Sequence, residues 1–237
     1  MLKKERQNHI LDTVKSRKYC TVNYLSAQLF VAPITIRRDL KEMESAGLIT
    51  RCYGGAAVPE YENREVPFSV RNKSNSPAKA EIAKRAAKFI KEGDVVFLDA
   101  SSTVSYITDY IYPEQNLTII TNSTLVAERL KEKHVRCYLT GGITIDNSYA
   151  LSGSVAEKIA ADFYANVCFF STQGVDEFGV ISDYSESETA LRRIMIANSE
   201  KAYFLFDSSK YKKRLAFKIC KVSDVAGYIT DSREITF

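Results

Sequence analysis

The chain has 237 residues, 45% hydrophobic and 26% charged, with five cysteines, no tryptophan and a formal net charge of +4. This is the composition of a globular protein, and the length accommodates one large domain or two smaller ones. The charged opening MLKKERQNHI and the absence of any apolar run near the roughly 18 residues of a membrane span predict neither a secretion signal nor a membrane segment. With no CxxC spacing among Cys20, Cys52, Cys137, Cys168 and Cys220, and only His9 and His134, a disulfide scaffold, a zinc ribbon and a histidine-rich metal site are poor readings. A reduced, cytoplasmic protein without metal or cofactor is expected.

Ile10, Leu11 and Val14 share one face of a first helix. Thr21 is placed to cap a short second helix carrying Leu25 and Leu29. A third helix, 33–46, opens with Pro33, buries Ile36, Leu40 and Met43, and ends at Gly47. Leu48–Tyr53 and Ala56–Val58 flank Gly54-Gly55, a two-residue turn signal for a hairpin. Residues 59–77 are polar, contain Pro59, Pro67 and Pro77, and read as a linker with local packing through Val66 and Phe68.

From Lys79 onward helices and strands alternate. Helices are expected at 81–91, 104–111, 125–131, 155–163 and 190–197. Strands are expected at 95–98, 117–120, 135–139, 167–170, 203–206 and 226–229. These strands are apolar without polar alternation, as when helices cover both faces of a mostly parallel sheet. The expected fold is α/β: a winged helix-turn-helix module (1–58), a linker (59–77) and a larger α/β domain (78–237).

The charge is concentrated. Residues 1–58 hold ten basic and five acidic side chains, a net of +5, which leaves the remainder at −1. A basic module on a neutral body points to a polyanion partner for the module alone, although a solvated helical surface has equal weight on charge alone. The third helix decides between them. With Ile36, Leu40 and Met43 buried, Arg38 and Lys41 occupy the opposite face, with Thr35 and Arg37 nearer its edges. Such a helix reads bases with its N-terminal residues. Arg51 on the hairpin is placed to grip a phosphate. Thr35, Arg37, Arg38, Lys41 and Arg51 are therefore the candidate contacts to double-stranded DNA.

The stretch 31–58, VAPITIRRDLKEMESAGLITRCYGGAAV, closely resembles the winged helix-turn-helix of the DeoR family of bacterial transcriptional repressors. Ala32 stands where that family usually has Ser, and Tyr53 where it often has His. The lost N-cap oxygen costs about 1 kcal/mol, partly offset by Pro33.

In the second module the strand ends are polar: Asp99-Ala100-Ser101-Ser102-Thr103, Thr121-Asn122-Ser123, Thr140-Gly141-Gly142, Ser171-Thr172-Gln173-Gly174 and Asp207-Ser208-Ser209-Lys210. Carboxyl ends of strands form the ligand crevice of an open α/β sheet. Small hydroxyl residues opening helices expose N–H groups that suit a phosphate, and Lys210 can neutralise it. Asp99 and Asp207 can accept hydrogen bonds from sugar hydroxyls. Each loop taken singly reads as a helix cap; five in one crevice favour a shared site.

The DeoR resemblance continues here. It implies an effector domain resembling pentose-phosphate isomerases in fold that senses a phosphorylated sugar. The family's D-x-G-T-T, T-N-S, G-G, G-x-x-A-E and D-x-S-K fall on Asp99–Thr103, Thr121–Ser123, Gly141-Gly142, Gly153–Glu157 and Asp207–Lys210. Ser101 and Ser171 replace usual glycines, Gln173 often an Asp, and Arg192 a Lys common after Glu188.

The candidate effector contacts are thus Asp99, Ser101, Ser102, Thr103, Thr121, Asn122, Ser123, Gly141, Gly142, Asp207 and Lys210. The expected function is an operator-binding regulator, a repressor of carbohydrate-metabolism genes, that works as a dimer or tetramer and responds to a sugar phosphate. Two alternatives stay open on the residues. One is an isomerase-like enzyme, for which Asp99, Asp207 and Lys210 are available but no spacing demands catalysis. The other is a DNA-binding protein with a vestigial pocket.

Overall fold

The structure, a computed structural model, describes residues 2–46, 48–57 and 66–237. It divides into two compact units, Met1–Arg71 and Asn72–Phe237.

The first unit contains α1 (Lys3–Arg17), β1 (Tyr19–Thr21), α2 (Val22–Leu29), α3 (Pro33–Ser45), β2 (Thr50–Cys52) and β3 (Gly55–Ala57). Thr21 caps α2 by accepting from the Tyr24 N–H at 3.1 Å. Pro33 opens α3 after Ala32, which supplies no side-chain cap. The core joins Ile10 and Val14 of α1 and Leu25 of α2 to Ile36, Leu40 and Met43 of α3, with Ile49 and Ala56 from the hairpin. The residue expected to end α3, Gly47, lies outside the described residues, as does Val58.

One expectation changes here. Cys52 pairs with Gly55, so the hairpin turn is Tyr53-Gly54 and not Gly54-Gly55. Gly54 takes the left-handed backbone (φ 74°) that such a turn requires. Gly55 has a different reason to be glycine. It lies on β3, the middle strand between β1 and β2, and any side chain there would collide with the Cys20 carbonyl of β1. The three-residue strand β1 went unread because it is too short to show a pattern.

A buried ion pair fixes α3 within this unit. Arg6 donates to both carboxylate oxygens of Asp39, at 2.5 and 3.2 Å, and the Asp39 side chain is fully buried. The hydrogen bond to Asp39 raises the Arg6 pKa despite the opposing effect of burial. Around it Glu42 accepts from Lys3 and Gln7 of α1.

Of the stretch read as linker, 59–65 lies outside the described residues, and the rest is not extended. α4 (Phe68–Lys73) forms, and α5 (Ser76–Ala87) begins with Pro77 in its first turn. The second unit continues with β4 (Val95–Leu98), a 3-10 helix (Val104–Tyr110), β5 (Thr118–Thr121), α6 (Thr124–Glu132) and β6 (Arg136–Leu139). Then come β7 (Ile143–Thr144), β8 (Leu151–Ser152), α7 (Ser154–Ala161) and β9 (Ala165–Phe170). The chain ends with β10 (Gly174–Val175), β11 (Val180–Asp183), α8 (Glu186–Ala197), β12 (Ser199–Phe206), β13 (Phe217–Lys221) and β14 (Gly227–Thr230).

Six strands form one all-parallel sheet in the order β14-β12-β9-β4-β5-β6. The chain winds outward from β4 in one direction, then returns to β9 and winds the other way. That reversal makes the β4–β9 junction a topological switch point. Apart from the edge strand β6, both faces are covered, which explains the unbroken apolar runs. Val96, Leu98, Val167 and Phe169 face α5 and α6, whereas Phe97, Cys168, Phe170 and Phe204 face α7 and α8. The expected α-helix at 104–111 is a 3-10 helix. A small antiparallel sheet β10-β11-β13 completes the unit.

Replacing Asp39 with Ala strands the Arg6 charge in the first unit's core and should cost about 3 kcal/mol. Urea unfolding of Asp39→Ala beside an Arg6→Met/Asp39→Leu double variant is the check. The double variant should recover most of the loss, because an apolar pair strands no charge.

Candidate nucleic-acid interface and ligand crevice

On the outer face of α3, Arg37, Arg38 and Lys41 are exposed and Thr35 is half-buried. These four, with Ile34 and Arg51, line one shallow depression of about 340 Å³. A second, of about 360 Å³, continues along the wing past Arg37, Arg51, Cys52 and Gly54. All five candidate DNA contacts therefore lie on one surface.

Their partners differ. Among the described residues Arg37, Arg38 and Lys41 form no ion pair, because the acids nearby are engaged elsewhere. Arg51 is not free in this way. Its Nε donates to Glu44 at 2.7 Å and its backbone N–H to the same carboxylate at 2.9 Å, which holds Glu44 below the usual carboxylate range. Arg51 is a braced cation, not a loose phosphate grip. Sequence reasoning gave no role to Tyr53, which stands fully exposed at the wing tip. It also missed Arg6 and Asp39. The available signal was that Asp39 falls between Ile36 and Met43 on the buried stripe.

In the second unit the strand register aligns the polar loops. Leu98 is level with Thr121 and Phe169, Thr121 with Leu139, and Phe170 with Phe204. The loops after β4, β5, β6, β9 and β12 therefore leave from one edge of the sheet. Several of their side chains serve the fold. Ser101 accepts from the Val104 N–H in the turn that leads into the 3-10 helix, and Ser123 caps α6 by accepting from the Val126 N–H. Thr121 donates its hydroxyl to the Leu98 carbonyl at 2.7 Å. Gly142 (φ 112°) is needed for close approach to the Ser152 carbonyl and Ala156. For these four the structural role is sufficient.

Others are less committed. Among the described residues the hydroxyls of Ser102 and Thr103 make no hydrogen bond to protein, and both residues are buried. Asn122 donates its Nδ2 to the Leu151 carbonyl at 2.9 Å, while its buried Oδ1 has no partner.

Asp99 sits at the switch point, and both of its carboxylate oxygens accept from protein groups. Oδ1 accepts from the Ser101 N–H at 3.0 Å. Oδ2 accepts from the Ser171 N–H at 3.2 Å and from Arg192 Nε at 2.8 Å. The other Arg192 nitrogens donate to Asp183 at 2.9 Å and Glu188 at 3.2 Å. Burial works against the charge of Arg192, but Glu188, Asp183 and Asp99 outweigh it and raise its pKa. One buried cation thus ties β4, β11 and α8 together. Sequence reasoning noted Arg192 only as a departure.

Asp207 accepts from the Ser209 N–H at 3.1 Å, from the Ser209 hydroxyl and from Asn75 Nδ2 at 2.8 Å. Burial pushes its carboxyl up. The Ser209 bonds, Lys210, Asn75 and Lys79 together hold it below its usual range. Lys79 of α5 is wholly buried near this carboxylate, and sequence reasoning missed it. Lys210 is half-buried beside it. Two cations therefore stand at the β12 end of the edge.

Replacing Arg192 with Met should destabilise the second unit by roughly 3–5 kcal/mol, because the buried Asp99 and Asp183 carboxylates lose their counter-charge. Thermal melts of Arg192→Met beside the wild type decide, and an unchanged melting temperature would contradict the electrostatic reading.

Comparison with known proteins agrees with both halves. The DeoR-like helix-turn-helix domain matches residues 6–62, and the DeoR C terminal sensor domain matches residues 74–232. The chain is 37% identical over 233 residues to the HTH-type transcriptional regulator YulB of Bacillus subtilis, covering 98% of this chain and 90% of that one. It is 32% identical over 227 residues to the L-fucose operon activator of Haemophilus influenzae, covering 95% and 91%. Among solved structures, ribose 5-phosphate isomerase A of Methanocaldococcus jannaschii aligns at 20% identity with a TM-score of 0.44, over 60% of this chain and 57% of that one. No helix of the described residues is long and apolar enough to cross a membrane. Matched by these models over both halves and by relatives over nearly its whole length, this chain belongs to the DeoR family of helix-turn-helix transcriptional regulators.

Proposed function

We propose that the protein is a cytoplasmic repressor of carbohydrate-metabolism genes whose grip on its operator is set by a phosphorylated sugar. The observation that carries the DNA half is the outer face of α3, where Arg37, Arg38 and Lys41 have no ion-pair partner among the described residues. Thr35, Arg37 and Arg38 meet base edges, Lys41 extends the cationic face, and Arg51, braced by Glu44, meets the phosphate backbone. A symmetric homo-oligomer presents two such helices to repeated half-sites.

In the sensor half, Lys210 and the buried Lys79 neutralise the phosphate. Ser102 and Thr103 donate their hydroxyls to its oxygens, and the unpartnered Asn122 Oδ1 accepts from a sugar hydroxyl. Asp207, held ionised by its neighbours, orients the two lysines. Asp99 acts through Arg192 as a brace for the loop that carries Ser102 and Thr103. Ligand changes operator affinity only through unequal affinity for two arrangements of the oligomer.

Fluorescence anisotropy on DNA from the protein's own upstream region, with a panel of sugar phosphates at fixed salt, tests both halves. Arg38→Ala should weaken operator binding by about 1–3 kcal/mol and leave ligand binding intact. Lys210→Ala should keep operator binding and lose the ligand response. Unchanged operator affinity in the first variant removes α3 as the reading helix. A normal response in the second moves the phosphate elsewhere.

A further inference from the structure

The two edges of the parallel sheet are finished differently. At β14 the chain's own end provides cover: the Tyr228 hydroxyl donates to the Ile235 carbonyl at 3.2 Å, and its ring meets Phe237 edge-on at 5.2 Å. β6 has no such cover among the described residues. Tyr138 is 45% and Leu139 40% exposed, and neither proline nor bulge interrupts the strand. Soluble proteins shield open edges with charges, prolines or a covering segment. Here, among the described residues, Arg136 at the start of β6 is the charge that serves that purpose.

The bare surface continues from β6 onto α7. The Tyr138 ring packs on Phe163, just past the end of α7, at 5.2 Å. Helix α7 turns Ala156 and Ala160 into the core and leaves Val155 and Ile159, one turn apart, 56% and 38% exposed. Ile143 of β7 is 73% exposed and lies against Gly153 at the head of α7. Tyr138, Leu139, Ile143, Val155 and Ile159 thus form one apolar strip. Patches of a few hundred Å² on a soluble domain mark association surfaces.

We infer that this strip is the contact through which two copies of the chain pair about a twofold axis, α7 lying antiparallel to α7 of the other copy. Charge complementarity identifies the occupant. Exposed Lys158 and Asp162 flank Ile159 on the outward side of α7. An antiparallel pairing centred near Ile159 sets Lys158 against Asp162 of the partner subunit, and the reverse on the other side of the axis. The surface is therefore complementary to itself, as a twofold contact requires. The apolar strip gives the dry centre, and Arg136, Lys158 and Asp162 belong to its rim. The inference deepens the oligomeric repressor proposed above and rests on it.

The experiment measures the solution mass of the full chain by light scattering at micromolar concentration, beside four variants. Wild type should be a dimer or larger. Ile159→Asp, at a part-exposed position, should lose that contact with an unchanged far-UV circular dichroism spectrum. Lys158→Asp and Asp162→Lys should each weaken the contact, and the double variant should restore it. Ile159→Asp should also bind a single half-site as wild type does, and a two-half-site operator at least tenfold more weakly. A monomeric wild type overturns the inference, whatever other partner the strip holds, and so does an Ile159→Asp protein that associates unchanged. If that variant associates unchanged and wild type still binds its operator, the contact fails and the regulator stands. If the strip pairs two copies that bind no operator, the contact stands and the regulator fails.

Discussion

Arg192 brings a full positive charge into the sensor domain, and the arrangement around it depends on that charge being met. Its three partners come from three places in the chain: Asp99 at the end of β4, Asp183 at the end of β11 and Glu188 within α8. Separately, each carboxylate would be costly to bury beside the others. Around one guanidinium they fix where the small antiparallel sheet and α8 stand relative to the main sheet. The Asp99 oxygens also hold the Ser101 and Ser171 backbones across the switch point. The crevice is thus shaped by an electrostatic knot beneath it, and the polar loops above it inherit their positions from that knot.

The winged module applies the same device on a smaller scale. Arg6 and Asp39 form a buried two-pronged pair between α1 and α3, while Glu42 and Glu44 turn to Lys3 and Arg51. The acids of α3 are met by Arg6, Lys3 and Arg51 and not by the cations of its outer face. What remains without an ion pair on that face, among the described residues, is positive. Composition alone records ten basic and five acidic residues in this region; the packing decides which of them are left for a phosphate backbone.

Much of this was legible in the sequence. All six strands of the parallel sheet could be placed because burial on two faces leaves uninterrupted apolar runs such as Val95–Leu98 and Val167–Phe170. The small sheet escaped because β10 has two residues and β13, Phe-Lys-Ile-Cys-Lys, mixes charge with apolar residues. The turn was misplaced by one residue because adjacent glycines serve two purposes, conformation at Gly54 and close approach at Gly55. Candidate positions were easier to read than their partners. Asp99 is conspicuous at a strand end, but the arginine that occupies it lies 93 residues away. Lys79 was invisible because a lysine in a helix is read as solvent-facing, and only the fold shows it wholly buried.

The order of winding also governs when the protein can do each of its jobs. The pairings of the winged module all fall within residues 19–57. In the sensor domain β4, at the centre of the sheet, has β5 on one flank soon after it is made. Its other flank stays open until β9, some seventy residues later, and β12 and β14 must follow. Pairing over such separations is slow, and domains fold in the order they are synthesised. A growing chain therefore carries a finished winged module while the parallel sheet still lacks one flank. The edge that carries the polar loops is completed last, with the final third of the polypeptide.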